Sequence, residues 1–179
     1  MEGLTRFARQ RAGRQWVLAW CAGAGVVATP REQLEAELRV FEAAMVALAD
    51  TLTDEDEGVL VLASSAGGVY AGSAGPPFTE ATEPHPLVAY GRTKLAGERL
   101  AEMEYPEGTR IARTAWLYGA HGKNFVDTML MLAIDRDVVD VVADQTGCPT
   151  WTKDLCPALV EIASLPAGVY HAAGAGSTT

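Results

Sequence analysis

Three side chains of this sequence have the types and spacing needed to move a proton to or from a carbonyl oxygen. Tyr90 and Lys94 stand four apart in Tyr90-Gly91-Arg92-Thr93-Lys94, and Ser65 lies 25 residues before Tyr90. On a helix, residues four apart share one face. A phenol placed there can exchange a proton with a substrate oxygen. A neighbouring ammonium favours the phenolate, drawing the tyrosine down from its ordinary pKa of about 10. The serine hydroxyl can hold the same oxygen. A hydride-transfer enzyme needs this set around an alcohol or a ketone. Alone, Tyr-x-x-x-Lys is a weak signal, because a surface Tyr beside a solvated Lys is common on helices.

The elements that must hold these groups follow from the hydrophobic pattern. Val59 to Ser64 reads as a buried strand that delivers Ser64-Ser65 at its end, and the helix of Tyr90 and Lys94 runs to about Met103. Between them, residues 66–86 form a loop rich in Gly, Pro and Thr, of the length that functional loops have. Upstream, Gln15 to Ala22 reads as a strand. Thr29-Pro30-Arg31-Glu32 reads as a helix start, with Thr29 as N-cap, Pro30 in the first position and Glu32 closing a capping box. Leu34, Leu38, Phe41, Met45, Leu48 and Leu52 then form the buried stripe of a helix over 31–52.

Downstream, Thr109 to Leu117 reads as a strand, Asn124 to Ile134 as a helix and Val138 to Ala143 as a strand. Thr152 to Ser164 reads as a helix and Gly168 to His171 as a final strand. Alternating strands and helices predict an α/β fold: a parallel sheet with helices on both faces.

Bulk properties narrow the function. The chain has 179 residues, 49% of them apolar, and a net charge of −9. Both nucleic acid and an anionic membrane need a basic surface, so neither is expected as a partner. Asp54-Glu55-Asp56-Glu57 reads as a solvated loop, since consecutive carboxylates without turn ligands rarely converge on one metal ion. Cys21, Cys148 and Cys156 are odd in number and lack Cys-x-x-Cys spacing, which argues against a disulfide framework or zinc and for a reducing, cytoplasmic setting. No metal site is expected. Residues 1–14 are polar and basic. With the apolar run from Trp16 to Ala28 they have the outline of a secretory signal, but Trp and Gly dilute the run, and it is too short to span a membrane.

The order of several motifs adds to this. Ser64-Ser65-Ala66-Gly67-Gly68-Val69-Tyr70, Pro86-Leu87 and Tyr90-Gly91-Arg92-Thr93-Lys94-Leu95-Ala96-Gly97-Glu98 occur in that sequence. Here the chain resembles the extended short-chain dehydrogenase/reductase family, which acts mostly on nucleotide sugars. The resemblance implies a Rossmann-like, doubly wound sheet and an NAD or NADP cofactor. It implies Tyr90 as the proton donor, Lys94 against the nicotinamide ribose, and Ser65 polarising the carbonyl. Counting back from Tyr70 puts Ala66 in the hydroxyl position, and a one-residue insertion among the glycines restores Ser65. Ser65 is the expected hydroxyl donor, with Ser64 as the alternative.

Gly23-Ala24-Gly25-Val26-Val27-Ala28 also fits G-x-G-x-x-A, the dinucleotide fingerprint. Against it, the helix starts only after Thr29-Pro30, and the next strand ends in Ser64-Ser65 without an acid for a ribose. The resemblance instead implies that Cys21, Ala22 and Gly23 end the family's fourth strand, beside the cofactor. The family's first three strands and Gly-rich loop would then be missing. Residues 15–119 would be the later part of a dinucleotide-binding domain and 120–179 part of a small substrate-binding region.

The second half is more specific. Arg113-Thr114-Ala115-Trp116-Leu117-Tyr118-Gly119, Gly122-Lys123-Asn124-Phe125, Asp144-Gln145-Thr146-Gly147-Cys148-Pro149-Thr150 and Asp154-Leu155 are similar to the dTDP-4-dehydrorhamnose reductase branch. That branch reduces a 4-keto sugar carried on dTDP. The resemblance implies that Asn124, Gln145 and Thr150 lie near a dTDP-linked or other nucleotide sugar. On the residues alone, Asn124 could equally cap a helix and Pro149-Thr150 make a turn. The Ser-Ser-Ala-Gly-Gly-Val-Tyr segment is closer to nucleotide-sugar epimerases and dehydratases, which keeps that chemistry open. A third expectation is non-catalytic: a regulatory or interaction protein. Without a pyrophosphate loop the chain alone is expected to be inactive or very weak. A homo-oligomer or a complementing N-terminal piece is the expected way of covering its open sheet.

Overall fold

In the computed structural model, residues 7, 15–23, 28–53, 57–73 and 75–179 are described. The elements run β1 (Trp16–Trp20), α1 (Arg31–Ala49), β2 (Gly58–Ser65), α2 (Ala66–Val69), α3 (Ala89–Glu104), β3 (Thr109–Thr114), β4 (Leu117–Tyr118), α4 (Phe125–Asp135), β5 (Thr150–Trp151), α5 (Thr152–Ile162) and β6 (Gly168–His171).

β1, β2, β3 and β6 form one sheet in that order, and every pairing is parallel. Parallel strands need crossovers, and helices supply them, so the inner strands are buried on both faces. Strand periodicity then sorts the side chains. Leu60 and Leu62 face the core built with Phe41, Met45 and Leu48 of α1 and Ala101 of α3. Val61 and Ala112 face the opposite core, built with Leu155, Leu159 and Ile162 of α5. Each such side chain, fully buried, contributes roughly 1.5–3 kcal/mol. The expected α/β sheet with helices on both faces is thus the observed fold.

β6 returns to pair with β3, so the sheet crosses the boundary expected at residues 119/120. The sequence reading needs correction elsewhere. Val138 to Ala143 is not a strand: Val138, Val141 and Val142 are exposed and lie in irregular chain. A β-branched run favours extended backbone but still needs a neighbouring strand to pair its amides, and the described residues offer none. The predicted helix 31–52 ends at Ala49. Pro30, not Thr29, takes its N-cap position, with no side-chain cap. The extended Pro30 (φ −56, ψ 141) still receives the first helical bond, from Leu34 N at 3.1 Å.

The strand expected over Thr109–Leu117 is two strands. Trp116 has φ 43, in the left-handed region that ends an extended run. Its ring lies where a β-carbon on Gly147 would be, 2.3 Å away, so only glycine fits opposite it. Leu117–Tyr118 then pairs with Thr150–Trp151 in a second, two-stranded sheet. That second sheet, of two residues per strand, was not legible in the local sequence pattern. Nor was α2, in which Ser65 accepts a hydrogen bond from Gly68 N at 3.2 Å as N-cap.

Candidate active site

Ligands of open α/β sheets bind beyond the carboxyl ends of the strands. Ser64 and Ser65 end β2 there, and α2 carries the chain away from the sheet. The first residues of α3 press against α2. A β-carbon on Gly91 would fall 2.1 Å from the Gly68 carbonyl oxygen, so the two backbones touch through two glycines. This contact brings the serine strand and the tyrosine helix together. A β-carbon on Gly68 would lie 3.0 Å from the Tyr90 ring and 3.2 Å from Ser65 Oγ, so both flank one point.

Tyr90 is buried and packs on Leu34 of α1. Lys94 follows one turn later, its Nζ 5.7 Å from the centre of the Tyr90 ring. Burial lowers the Lys94 pKa from its usual value, and the nearby Glu37 carboxylate partly opposes this. The two charged groups flank Gly23: a β-carbon there would lie 3.3 Å from Lys94 Nζ and 3.4 Å from Glu37 Oε2. Gly23 has φ 124, a conformation that side chains resist. Ala22, Gly23, Glu37, Ser64, Tyr90 and Lys94 border a cavity of about 50 Å³. An ammonium and a carboxylate facing open backbone fit the two hydroxyls of a ribose, so the residues present fit the nicotinamide-ribose end of a dinucleotide.

The two serines part company. Ser64 is buried and donates to Glu98 on α3. Arg113 of β3 donates to the same carboxylate through Nε and Nη2, the latter at 2.6 Å. Arg113 Nη1 also donates to the Tyr70 hydroxyl, which donates to the Thr79 carbonyl at 3.1 Å and sits 3.0 Å from His171 Nε2. Burial alone would push the Arg113 guanidinium down, but hydrogen bonding and attraction to Glu98, then Tyr70, hold it above its ordinary value. Ser65 is only partly buried, with its hydroxyl turned to Gly68 N.

The other expected ligands lie apart. Cys21 and Ala22 are exposed at the end of β1. Ala22 borders the cavity, while partial burial of the thiol group first and Cys156 second raise the Cys21 pKa, though the residue as a whole is exposed. Asn124 caps α4, accepting from Asp127 N at 3.0 Å and donating to the Gly119 carbonyl at 3.1 Å. Gln145 is exposed. Thr150 is buried, donates to the Cys148 carbonyl and accepts from Gly174 N at 3.0 Å. Thr150 borders a separate cavity of about 350 Å³ with Tyr118, Trp151, Asp154 and His171.

Ala24 to Val27, the middle of the G-x-G-x-x-A stretch, lie outside the described residues, as do Asp54 to Asp56 and residues 1–14 except Phe7. Among the described residues, no group of three His, Cys, Asp or Glu could hold a metal ion, and no helix is long and apolar enough to cross a membrane.

The sequence reading gave no role to Glu98, Arg113, Tyr70 or Glu37. Glu98 had a signal: it follows Lys94 by four, on the helix face of Tyr90. Thr114 had none. Paired in register with Ser65, its buried hydroxyl has no hydrogen-bond partner among the described residues.

Residues 10–179 match the family described as the RmlD substrate binding domain. The chain belongs to that family. A dTDP-4-dehydrorhamnose reductase of Streptomyces griseus is 45% identical over 128 residues, covering 68% of this chain and 42% of the relative. The crystal structure of a dTDP-4-dehydrorhamnose reductase from Bacillus anthracis in complex with NADP matches with TM-score 0.81 and 27% identity, over 98% of this chain and 63% of that one. A UDP-glucose 4-epimerase from Thermotoga maritima shares the fold, with TM-score 0.80 at 17% identity over 99% of this chain and 61% of that one. The chain therefore spans about two fifths of the Streptomyces relative and less than two thirds of these two structures.

Proposed function

We propose that this chain carries the reactive half of a nucleotide-sugar oxidoreductase that reduces a 4-keto sugar on dTDP with NADPH or NADH. The observation that carries the reading is the convergence of Ser65 and Tyr90 on Gly68, with Lys94 one turn along the same helix. The family match and the names of the relatives above support it.

The residues divide the work by position. A bound nicotinamide would supply hydride to the keto carbon. Ser65 donates a hydrogen bond to the carbonyl oxygen, drawing off the charge that develops there. Tyr90 gives its proton to that oxygen as the alcohol forms. Lys94 and Glu37 would hold the cofactor ribose, and Lys94 would offset the phenolate left on Tyr90. Cys21 and Ala22 form the edge of that seat. Asn124, Gln145 and Thr150 are proposed on the sugar-nucleotide side, with Thr150 in the larger cavity. Among the described residues nothing supplies a pyrophosphate loop, so cofactor binding and turnover are expected to be weak. β1 pairs with β2 alone among the described residues, and its free edge is where a second copy or a complementing N-terminal piece would add. Three free thiols fit a cytoplasmic setting.

The test is a fluorescence titration with NADPH and NADH, followed by incubation with a dTDP-4-keto-6-deoxysugar. Saturable binding and slow, Tyr90-dependent reduction support the reading. One cofactor consumed per product marks a reductase, and product without net consumption marks an epimerase. A folded, monodisperse chain that binds cofactor to saturation yet yields no product contradicts both.

A further inference from the structure

The buried Glu98–Arg113 pair has no part in the reaction as described, yet it touches both ends of the segment that carries Ser65. Its side chains are 2% and 5% exposed, and Glu98 receives three donor groups: Ser64 Oγ, Arg113 Nε and Arg113 Nη2. Ser64 is the residue just before Ser65. Arg113 Nη1 reaches the Tyr70 hydroxyl, and Tyr70 closes α2 as its C-cap. The six residues Ser65 to Tyr70 are thus pinned before and after by one ion pair. Glu98 also stands on the face of α3 that bears Tyr90 and Lys94, spaced by four and four.

Strand geometry makes the first tie decisive. Successive side chains of a strand point to opposite faces, and a slip of one residue exchanges them. With Ser64 held by Glu98, that place is closed to Ser65, whose hydroxyl turns to Gly68 N. We propose that Glu98 and Arg113 are positioning residues that select Ser65 over Ser64 and fix its hydroxyl beside Tyr90, acting through Ser64 and Tyr70. This inference rests on the reductase reading for its purpose and on the geometry alone for its test.

A buried ion pair can also be merely structural, and removing either partner leaves a buried charge that threatens folding. The test therefore cuts the ties and leaves the pair. Ser64→Ala removes the first tie and Tyr70→Phe the second, while the aromatic contacts of Tyr70 with Phe78 stay available. Amide hydrogen exchange is read by NMR on the full chain. The Gly68 N–H, bonded to Ser65 Oγ, is expected to exchange about tenfold faster in each variant, with amides of β2 and β3 nearly unchanged. Ser64→Thr, which keeps a hydroxyl, restores the protection. Unchanged Gly68 exchange, or equal acceleration of every core amide, overturns the proposal. Failure to reduce a keto-sugar would count against the function, whereas exchange at Gly68 judges the clamp whether or not the chain turns over.

Discussion

Ser65 Oγ and the Tyr90 ring are neighbours across a single missing methyl group, that of Gly68. The relationship crosses three elements: a strand end, one turn of helix and the start of α3. It makes Gly68 the most informative small residue of the site.

Gly68→Ala places a β-carbon 3.0 Å from Tyr90 and 3.2 Å from Ser65 Oγ. Both side chains must give by a few tenths of an ångström, at a cost near 1 kcal/mol. Stability is expected to fall slightly, while keto-sugar reduction falls at least about tenfold. Thermal melts beside turnover measurements check this. A variant as active as the parent would remove Gly68 from the site.

Gly91→Ala meets backbone instead. The new β-carbon would be 2.1 Å from the Gly68 carbonyl oxygen, and that oxygen cannot swing away as a side chain can. A loss of about 2–3 kcal/mol in urea unfolding is expected, larger than that for Gly68→Ala.

Lys94 makes stability depend on pH. Its folded pKa is lowered by burial, which Glu37 only partly offsets, while in the unfolded chain it returns to about 10.4. Between those two values the unfolded state binds more protons, so this group makes stability rise with pH across that window. Lys94→Met should abolish that rise and weaken NADPH binding. Melting temperatures of both proteins at stepped alkaline pH give the difference directly. Parallel curves would show that Lys94 is not buried in solution.

Glu98→Gln and Arg113→Met should each destabilise by about 3–5 kcal/mol, because each strands a buried polar or charged partner. Replacing both with apolar residues should cost less than the sum of the two. Urea unfolding of the double-mutant cycle measures the coupling, and simple additivity would contradict the paired geometry.

The sheet was legible because its strands are short apolar runs ended by turn residues, and α1 because Leu34, Phe41, Met45 and Leu48 recur at helical spacing. The Tyr90–Lys94 pairing was legible for the same local reason. The Val138–Ala143 error came from reading local preference where strand formation depends on a distant partner. The contacts through Gly68 and Gly91 were hidden because a glycine shows its purpose only when the opposing backbone is known. Glu98 and Arg113, 15 residues apart, meet through the packing of α3 on β3, which no spacing rule announces.

Tyr90 is proposed to supply the proton that completes hydride transfer to a sugar ketone. The most direct measurement uses NADPH carrying deuterium at the transferred position, a dTDP-4-keto-6-deoxysugar, and mass spectrometry of the sugar product. Slow transfer of label to the sugar by the 179-residue chain is expected, reduced about a hundredfold or more in Tyr90→Phe. Label transfer that ignores Tyr90, or none from a folded chain at saturating cofactor, would contradict it.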